Sequence, residues 1–172
     1  MSKVQYQTPR GTKDILPQQQ PYWQWIIETA VKTLEGVGYE RIDIPTFENA
    51  EIYTRGIGEN SDIVQKEMFL LQSGKEEPIA YALRPEGTAG VVRAYIQNGM
   101  SSWSQPVRLY YIGVMFRRER PQKGRYREFY QIGAEIFGDD SAKSDYLSIM
   151  SAWEILTRLG LKNLVVCTNS IG

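Results

Sequence analysis

Histidine is absent from this 172-residue chain, and cysteine occurs once, at Cys167. A lone cysteine excludes an internal disulfide and a cysteine-built metal site. The missing histidines remove the commonest metal ligand and the commonest general base. Charge of one sign is also lacking, because twenty basic residues face twenty acidic ones. No global field draws in a polyanion, so a nucleotide or nucleic acid must be met by a local patch. Long apolar runs are missing as well: no stretch approaches the roughly 20 residues that cross a bilayer. The opening MSKVQYQTPRGTKD holds no apolar core of the kind a secretory signal carries. Residence in the cytoplasm, with no membrane partner, is the expectation. Repeats and low-complexity linkers are absent too, and 42% hydrophobic with 23% charged residues is ordinary for one globular domain.

What is present is concentrated. Arg117, Arg118, Arg120, Lys123, Arg125 and Arg127 fall within eleven residues, between two runs that read as strands, Val107 to Phe116 and Glu128 to Phe137. Two strands joined by a tight loop predict an antiparallel pair. Arginines at such a tip are either simply solvated or gathered to bind an anion, and composition alone does not separate the two.

The remaining elements follow from periodicity. Trp23, Ile26, Ile27, Ala30, Val31 and Leu34 recur at helical spacing after Pro17 and Pro21, with Gly36 and Gly38 as a stop. Tyr39 to Ile44 reads as a strand ended by Pro45, and a short helix is expected from Phe47 to near Gly56. Met68 to Leu71 and Ile79 to Leu83 read as strands around a turn at Ser73 and Gly74. Pro85 is expected in the first turn of a helix burying Val91, Val92, Tyr95 and Ile96. Asp139, Asp140 or Ser141 would cap a helix carrying Leu147, Met150, Trp153 and Leu156. Leu164 to Thr168 reads as a last strand. The expected fold class is α+β, an antiparallel sheet with flanking helices.

Pleat alternation assigns Arg127, Phe129, Gln131, Gly133, Glu135 and Phe137 to one face of the second long strand. Tyr130, Ile132, Ala134 and Ile136 take the other, expected to be core. On the preceding strand, Gly113, Met115 and Arg117 fall together. A glycine between Gln131 and Glu135 lets something approach the backbone closely. This face is either a ligand platform or a solvated surface whose polar groups pair with neighbouring basic residues.

The segment FRRERPQKGRYREFYQIGAEIFG, residues 116–138, resembles the second signature motif of class II aminoacyl-tRNA synthetases in the form found in histidyl-tRNA synthetases. YALRPEGTAG, residues 81–90, is similar to that family's amino-acid-binding segment. RGTKDILP (10–17), GYERIDIPTFE (38–48) and TNSIG (168–172) resemble its opening, its first motif and a strand end of its catalytic domain. The resemblance implies a partial class II catalytic core and a ligase that joins histidine to tRNA(His) through an adenylate, using ATP with Mg²⁺. It implies that Arg117 is the catalytic residue gripping the α-phosphate, and that Glu119 and Arg125 help hold ATP. It further implies that Glu86 and Thr88 receive the α-ammonium of histidine, that Gln131 and Glu135 receive the rest, and that Tyr126 belongs to the same pocket. No protein-held metal is implied, and the first motif implies a homodimer.

Two positions depart from the pattern. Val114 stands where proline is usual, and Tyr130, on the expected core face, where histidine is usual. Residues 1–172 hold the first and second motifs but not the third, nor the second histidine-binding segment, nor an anticodon-binding domain. The expectation is therefore the N-terminal portion of a catalytic domain, inactive by itself. A different class of reading is a catalytically silent paralogue that binds histidine, like the regulatory subunit of ATP phosphoribosyltransferase. Such a protein should show eroded ATP and amino-acid residues, whereas Arg84 to Thr88 and the run from Arg117 to Arg127 are intact.

Overall fold

The computed structural model describes residues 6–57, 67–71 and 80–169. The expected turn at Ser73 and Gly74, together with Ile79 and residues 170–172, lies outside them. A 3₁₀ turn at Pro17–Gln19 leads into α1 (Gln20–Gly36). Gly38, at φ 84°, lets the chain close the helix, with the Gly38 and Tyr39 amides donating to the carbonyls of Glu35 and Leu34.

Of the strand expected at Tyr39 to Ile44 only β1 (Glu40–Arg41) forms. It lies parallel to β5 (Val107–Phe116), and its last link is the Ile42 amide to the Tyr110 carbonyl. The long excursion between them permits a parallel pairing that a tight hairpin could not. The expected antiparallel sheet thus gains a parallel pair at this edge. β5 and β6 (Glu128–Phe137) pair antiparallel along their full length, from Val107 opposite Phe137 to Phe116 opposite Glu128.

The short helix expected from Phe47 starts later. Phe47–Asn49 is β2, paired with β4 (Tyr81–Leu83), which also pairs with β3 (Phe69–Leu70). The Asn49 side chain then accepts the Glu51 amide at 2.9 Å and opens α2 (Glu51–Ile57).

Helix α3 (Thr88–Gln97) begins after Pro85, so the proline precedes the helix and is not in its first turn. Its buried side is Gly90, Val91 and Ala94, while Val92 and Ile96 are exposed. The bare Gly90 explains the rotation: a Cβ there would meet Ile44 Cδ1 at 2.8 Å, so the helix leans inward on that side. In α4 (Ala142–Arg158) the buried positions are Ser144, Ser151 and Ile155, and Met150 and Leu156 are exposed. Ser151 Oγ donates back to the Leu147 carbonyl at 2.7 Å, which satisfies its hydroxyl at a buried position. Asp139 supports this helix start by accepting from the Ser141 amide and the Ser144 hydroxyl. Leu164 to Thr168 forms no strand, because no described strand lies beside it to complete a ladder.

Both faces of β5–β6 are covered. On one, Tyr110, Ile112, Ile132, Ala134 and Ile136 pack with Ala30, Leu34 and Tyr39 and with Ile155 of α4. On the other, Leu109, Tyr111 and Met115 pack with Ile44, Val91 and Met100, and Phe129 and Phe137 close around them. The alternation placed the residues on the right faces, but the face bearing Gln131 and Glu135 is half core. No described helix is long and apolar enough to cross a membrane.

Candidate active site

The arginine-rich loop is anchored, not loose. Beyond the last paired strand residues, the Arg117 amide donates to the Arg127 carbonyl at 2.9 Å, and Gln122 and Arg125 form a bridge across the tip. The Arg127 amide donates to the Gly11 carbonyl at 2.7 Å, so the N-terminal segment clasps the loop base. Gly11 sits at φ 91°, and a Cβ there would meet Arg127 Cγ at 2.8 Å. Arg127 Nε donates to the Glu119 carbonyl, which fixes the loop from inside.

Three of the expected residues meet here. Glu119 lies between Arg117, at 3.7 Å, and Arg125, at 3.4 Å, with its own side chain only 15% exposed. Arg117 is also half-buried: its Nε donates to the Pro85 carbonyl at 2.9 Å, and its guanidinium lies 5.2 Å from the Phe129 ring. A solvated tip would leave such a cation free. Arg117 instead presents what remains of its fork toward a cavity of about 400 Å³ lined by Glu119, Arg125, Tyr126, Phe129 and Tyr130. A guanidinium held in this way can take two oxygens of an anion at once.

A second group forms where α3 starts. Both oxygens of Glu86 accept amides of the first turn, Thr88 at 2.6 Å and Ala89 at 2.9 Å, so its carboxylate caps the helix. Thr88 Oγ1 donates to Glu135 Oε1 at 2.8 Å, which joins α3 to β6. Burial is the main cause that pushes the Glu135 carboxyl above its ordinary range. The Glu86 charge adds to this, and the Thr88 hydrogen bond opposes it. Gln131, opposite Gly113 and two positions before Gly133, has a buried Oε1 with no hydrogen-bond partner. A buried acceptor left bare is costly, and an arriving N–H or O–H donor removes the cost.

The two groups are joined through Pro85–Glu86: Arg117 holds the carbonyl of one residue, and the other caps α3 toward Glu135. Tyr126 stands on the arginine side, its ring 5.1 Å from Lys13 Nζ, where two cavities adjoin. Tyr130 shares the pleat face of Ile132 but is 44% exposed, so the core placement expected for it is corrected. At that end of the sheet Trp23 of α1 packs against it, at 4.6 Å between ring centroids. Among the described residues no group of three or more histidine, cysteine, aspartate or glutamate side chains gathers to hold a metal.

Two structural supports escaped the sequence reading. Arg84 donates to the carbonyls of Val114, at 2.8 Å, and Ile44, at 2.6 Å, locking β5 against the strand that leads to Glu86. Gly113 is bare because a Cβ would lie 2.5 Å from the Arg84 guanidinium. Tyr111 lies between Gly87 and Gly133, and either glycine's Cβ would come within 2.2 Å of its ring. The signal was available in principle, since Tyr111 and Gly133 stand directly opposite each other in the strand register.

Known proteins share this fold and much of this sequence. The family description "Histidyl-tRNA synthetase" matches residues 11–171. A histidine–tRNA ligase of Thermosynechococcus vestitus is 48% identical over 96% of this chain, which covers 38% of that protein. Among solved structures, the apo histidyl-tRNA synthetase of S. aureus superposes with a TM-score of 0.75 at 32% identity, over 92% of this chain and 36% of that one. A Bacillus halodurans protein described as an ATP phosphoribosyltransferase regulatory subunit/histidyl-tRNA synthetase gives 0.76 at 28%, over 91% and 39%. The chain thus spans about two fifths of the relatives it matches. An α+β core, an anchored arginine loop beside a carboxylate group, and a family match from residue 11 to 171 lead to one conclusion: this chain belongs to the histidyl-tRNA synthetase family.

Proposed function

We propose that this chain carries the activation half of a histidine–tRNA ligase, forming histidyl-adenylate from histidine and ATP before transfer to tRNA(His). The observation that carries the reading is the junction at Pro85–Glu86, which sets Arg117 beside the group of Glu86, Thr88 and Glu135. In this reading residues 1–172 form the N-terminal portion of a class II catalytic domain, in a cytoplasmic homodimer that pairs through its first motif.

The chemistry asks for no histidine from residues 1–172. The carboxylate of the amino acid is the nucleophile and is already ionised near neutral pH, so no base has to remove a proton. Its oxygen attacks the α-phosphorus, a new O–P bond forms, and pyrophosphate departs with the bonding pair. What the protein must supply is alignment and neutralisation of negative charge. Arg117 would grip the α-phosphate while Arg125, steadied by Glu119, would hold the nucleotide further out. Mg²⁺ bound with the ATP phosphates would share the charge and needs no carboxylate cluster from the described residues. Glu86 and Thr88 would receive the α-ammonium, with Gln131 and Glu135 taking the rest of the amino acid, Glu135 facing the imidazole, and Tyr126 belonging to the same pocket. A wrong amino acid would leave the bare Gln131 acceptor and the buried Glu135 unpaired, which is the physical basis of selection.

The test is Arg117→Ala in the complete enzyme, assayed by histidine-dependent ATP–pyrophosphate exchange and by calorimetric histidine binding. Exchange is expected to fall by roughly 10²–10³-fold, the loss that follows removal of one transition-state donor, with histidine affinity little changed. Equal losses in both would refute the role given to Arg117. Histidine binding with no need of ATP and no exchange in the wild type would favour a histidine sensor instead.

A further inference from the structure

The turn near the N-terminus belongs to neither group above, yet the arginine loop leans on it. One step beyond the last strand pair, the Arg117 amide donates to the Arg127 carbonyl at 2.9 Å. In an unbroken antiparallel ladder such a pair exchanges two bonds. Here the Arg127 amide turns away and donates to the Gly11 carbonyl at 2.7 Å, with the Glu128 amide 3.3 Å from the same oxygen. Gly11 thus stands where a further strand would, at the mouth of the loop. It touches both arms, since a Cβ there would lie 2.8 Å from Arg127 Cγ and 3.0 Å from Pro121 Cγ. The turn is itself held. Thr12 donates its amide, at 3.0 Å, and its hydroxyl, at 2.8 Å, to the Pro9 carbonyl. Lys13 Nζ lies 5.9 Å from the Trp23 ring and 5.1 Å from the Tyr126 ring, which ties the returning arm of the loop to α1. Gln20 Nε2 donates to the Ile15 carbonyl at 3.3 Å, a second tie to the same helix.

We propose that the turn at residues 9–13 is a positioning element of the nucleotide site, with the Gly11 carbonyl as its point of contact and Lys13 as its second hold. It deepens the reading above, because the ligand it serves is the ATP named there. The links run in series. Gly11 fixes the Arg127 backbone, Arg127 Nε donates to the Glu119 carbonyl at 3.1 Å, and the Glu119 carboxylate lies 3.7 Å from Arg117 and 3.4 Å from Arg125. Releasing the first link therefore loosens the two guanidinium groups at the end. Arg117 keeps its separate bond to the Pro85 carbonyl, so the loosening is partial. Among the described residues, none before Ala30 enters a buried apolar cluster. The turn serves the loop, not the core. Glu86, Thr88 and Glu135 are joined through α3 and β6 without it, so the amino-acid side should not feel its loss.

The loop carries its own reporters, because trypsin cuts after lysine and arginine. Initial cleavage rates after Lys123 and Arg125, mapped by mass spectrometry in the complete enzyme, read loop opening; those after Lys32 in α1 and Arg158 in α4 read opening of the fold. Gly11→Ala places a methyl against Arg127 and Pro121 at a backbone angle, φ 91°, that alanine rarely adopts. Its loop bonds are expected to be cut roughly fivefold to tenfold faster, with the helix bonds unchanged. Lys13→Met, at an exposed position, should speed loop cleavage roughly twofold or more. A folded Gly11→Ala whose loop is cut at the wild-type rate would overturn the proposal. Should Gly11→Ala open loop and helices together, Lys13→Met decides: a selective rise upholds the proposal, and no selectivity overturns it. Calorimetry with ATP and Mg²⁺, and separately with histidine, gives the functional readout. In Gly11→Ala the ATP affinity is expected to drop roughly fivefold with histidine affinity unchanged, and equal losses would overturn the nucleotide role. A wild-type enzyme that binds no ATP would end the functional reading and the nucleotide role with it, while the cleavage pattern would separately decide whether the turn holds the loop.

Discussion

Replacing Gly133 by alanine tests the packing on which the site is built. A Cβ at that position would lie 2.2 Å from Tyr111 Cζ, 2.3 Å from its hydroxyl oxygen and 2.6 Å from Cε1. Carbon atoms in contact rest about 3.5 Å apart, so the ring would have to retreat by more than about 1 Å. Its retreat is blocked, since the Cβ site of Gly87 on the far side is also 2.2 Å from the ring, and Tyr111 is 3% exposed. The backbone must give instead, either between β5 and β6 or at the start of α3. Alanine has one favourable effect, a stiffer unfolded chain worth about 0.4–1 kcal/mol. Overpacking costs about 1–3 kcal/mol, and with rigid ring atoms as the obstacle the upper half of that range applies. The net expectation is a loss of about 1–3 kcal/mol, which at a urea slope of about 1–3 kcal/mol per molar lowers the midpoint by roughly 1 M. Tyr111→Val in a double-mutant cycle should recover part of this, with a coupling of about 1 kcal/mol or more. An alanine variant that unfolds at the wild-type urea concentration or above would refute the reasoning, and so would strict additivity with Tyr111→Val.

Two further outcomes follow from other contacts. Arg84→Met should destabilise the chain by about 2–3 kcal/mol in urea unfolding, because the carbonyls of Val114 and Ile44 lose a charged donor; Arg84→Lys should recover less than half, having no planar fork to reach both. The Asp139 carboxyl is held below its usual range, first by the Ser144 hydroxyl and then by the Ser141 amide. A depressed folded-state value means stability that is present above the unfolded pKa of about 3.9 and is lost as pH falls through the folded value. Asp139→Asn should therefore be less stable than wild type at neutral pH, with the gap closing in thermal melts taken below about pH 4.

The long strand pair was legible to the residue, because ten alternating positions on each side of a charged loop admit one register that keeps Ile132, Ala134 and Ile136 together. Short segments were not. Two or three residues carry too little periodicity, so β1 was read too long and β2 was taken for helix. The long helices lie near their expected places and the buried side of α1 holds the expected Ala30 and Leu34, but the buried sides of α3 and α4 were only partly right. Val92 and Met150 satisfied the apolar period, while Gly90 and Ser151, which read as neutral, proved to be the contact points. A small residue is buried because of what approaches it, and no local pattern encodes the approach.

The candidate residues divide in the same way. Chain order alone brought Arg117, Glu119 and Arg125 into one loop, since a tight connection between paired strands leaves its side chains nowhere else to gather. Glu86 and Glu135, by contrast, lie 49 positions apart, and their meeting through Thr88 depends on α3 docking across β6. That docking rests on Arg84 threading to the Val114 and Ile44 carbonyls and on a tyrosine wedged between two glycines. The sequence alone showed which side chains are at hand: a cluster of arginines in one loop, the carboxylates of Glu86, Glu119 and Glu135, and no histidine within residues 1–172. Tertiary structure alone decided which acceptor is bare, which carboxylate is buried and which tyrosine packs between Gly87 and Gly133, because burial and close approach belong to distant segments brought together and to no segment taken singly.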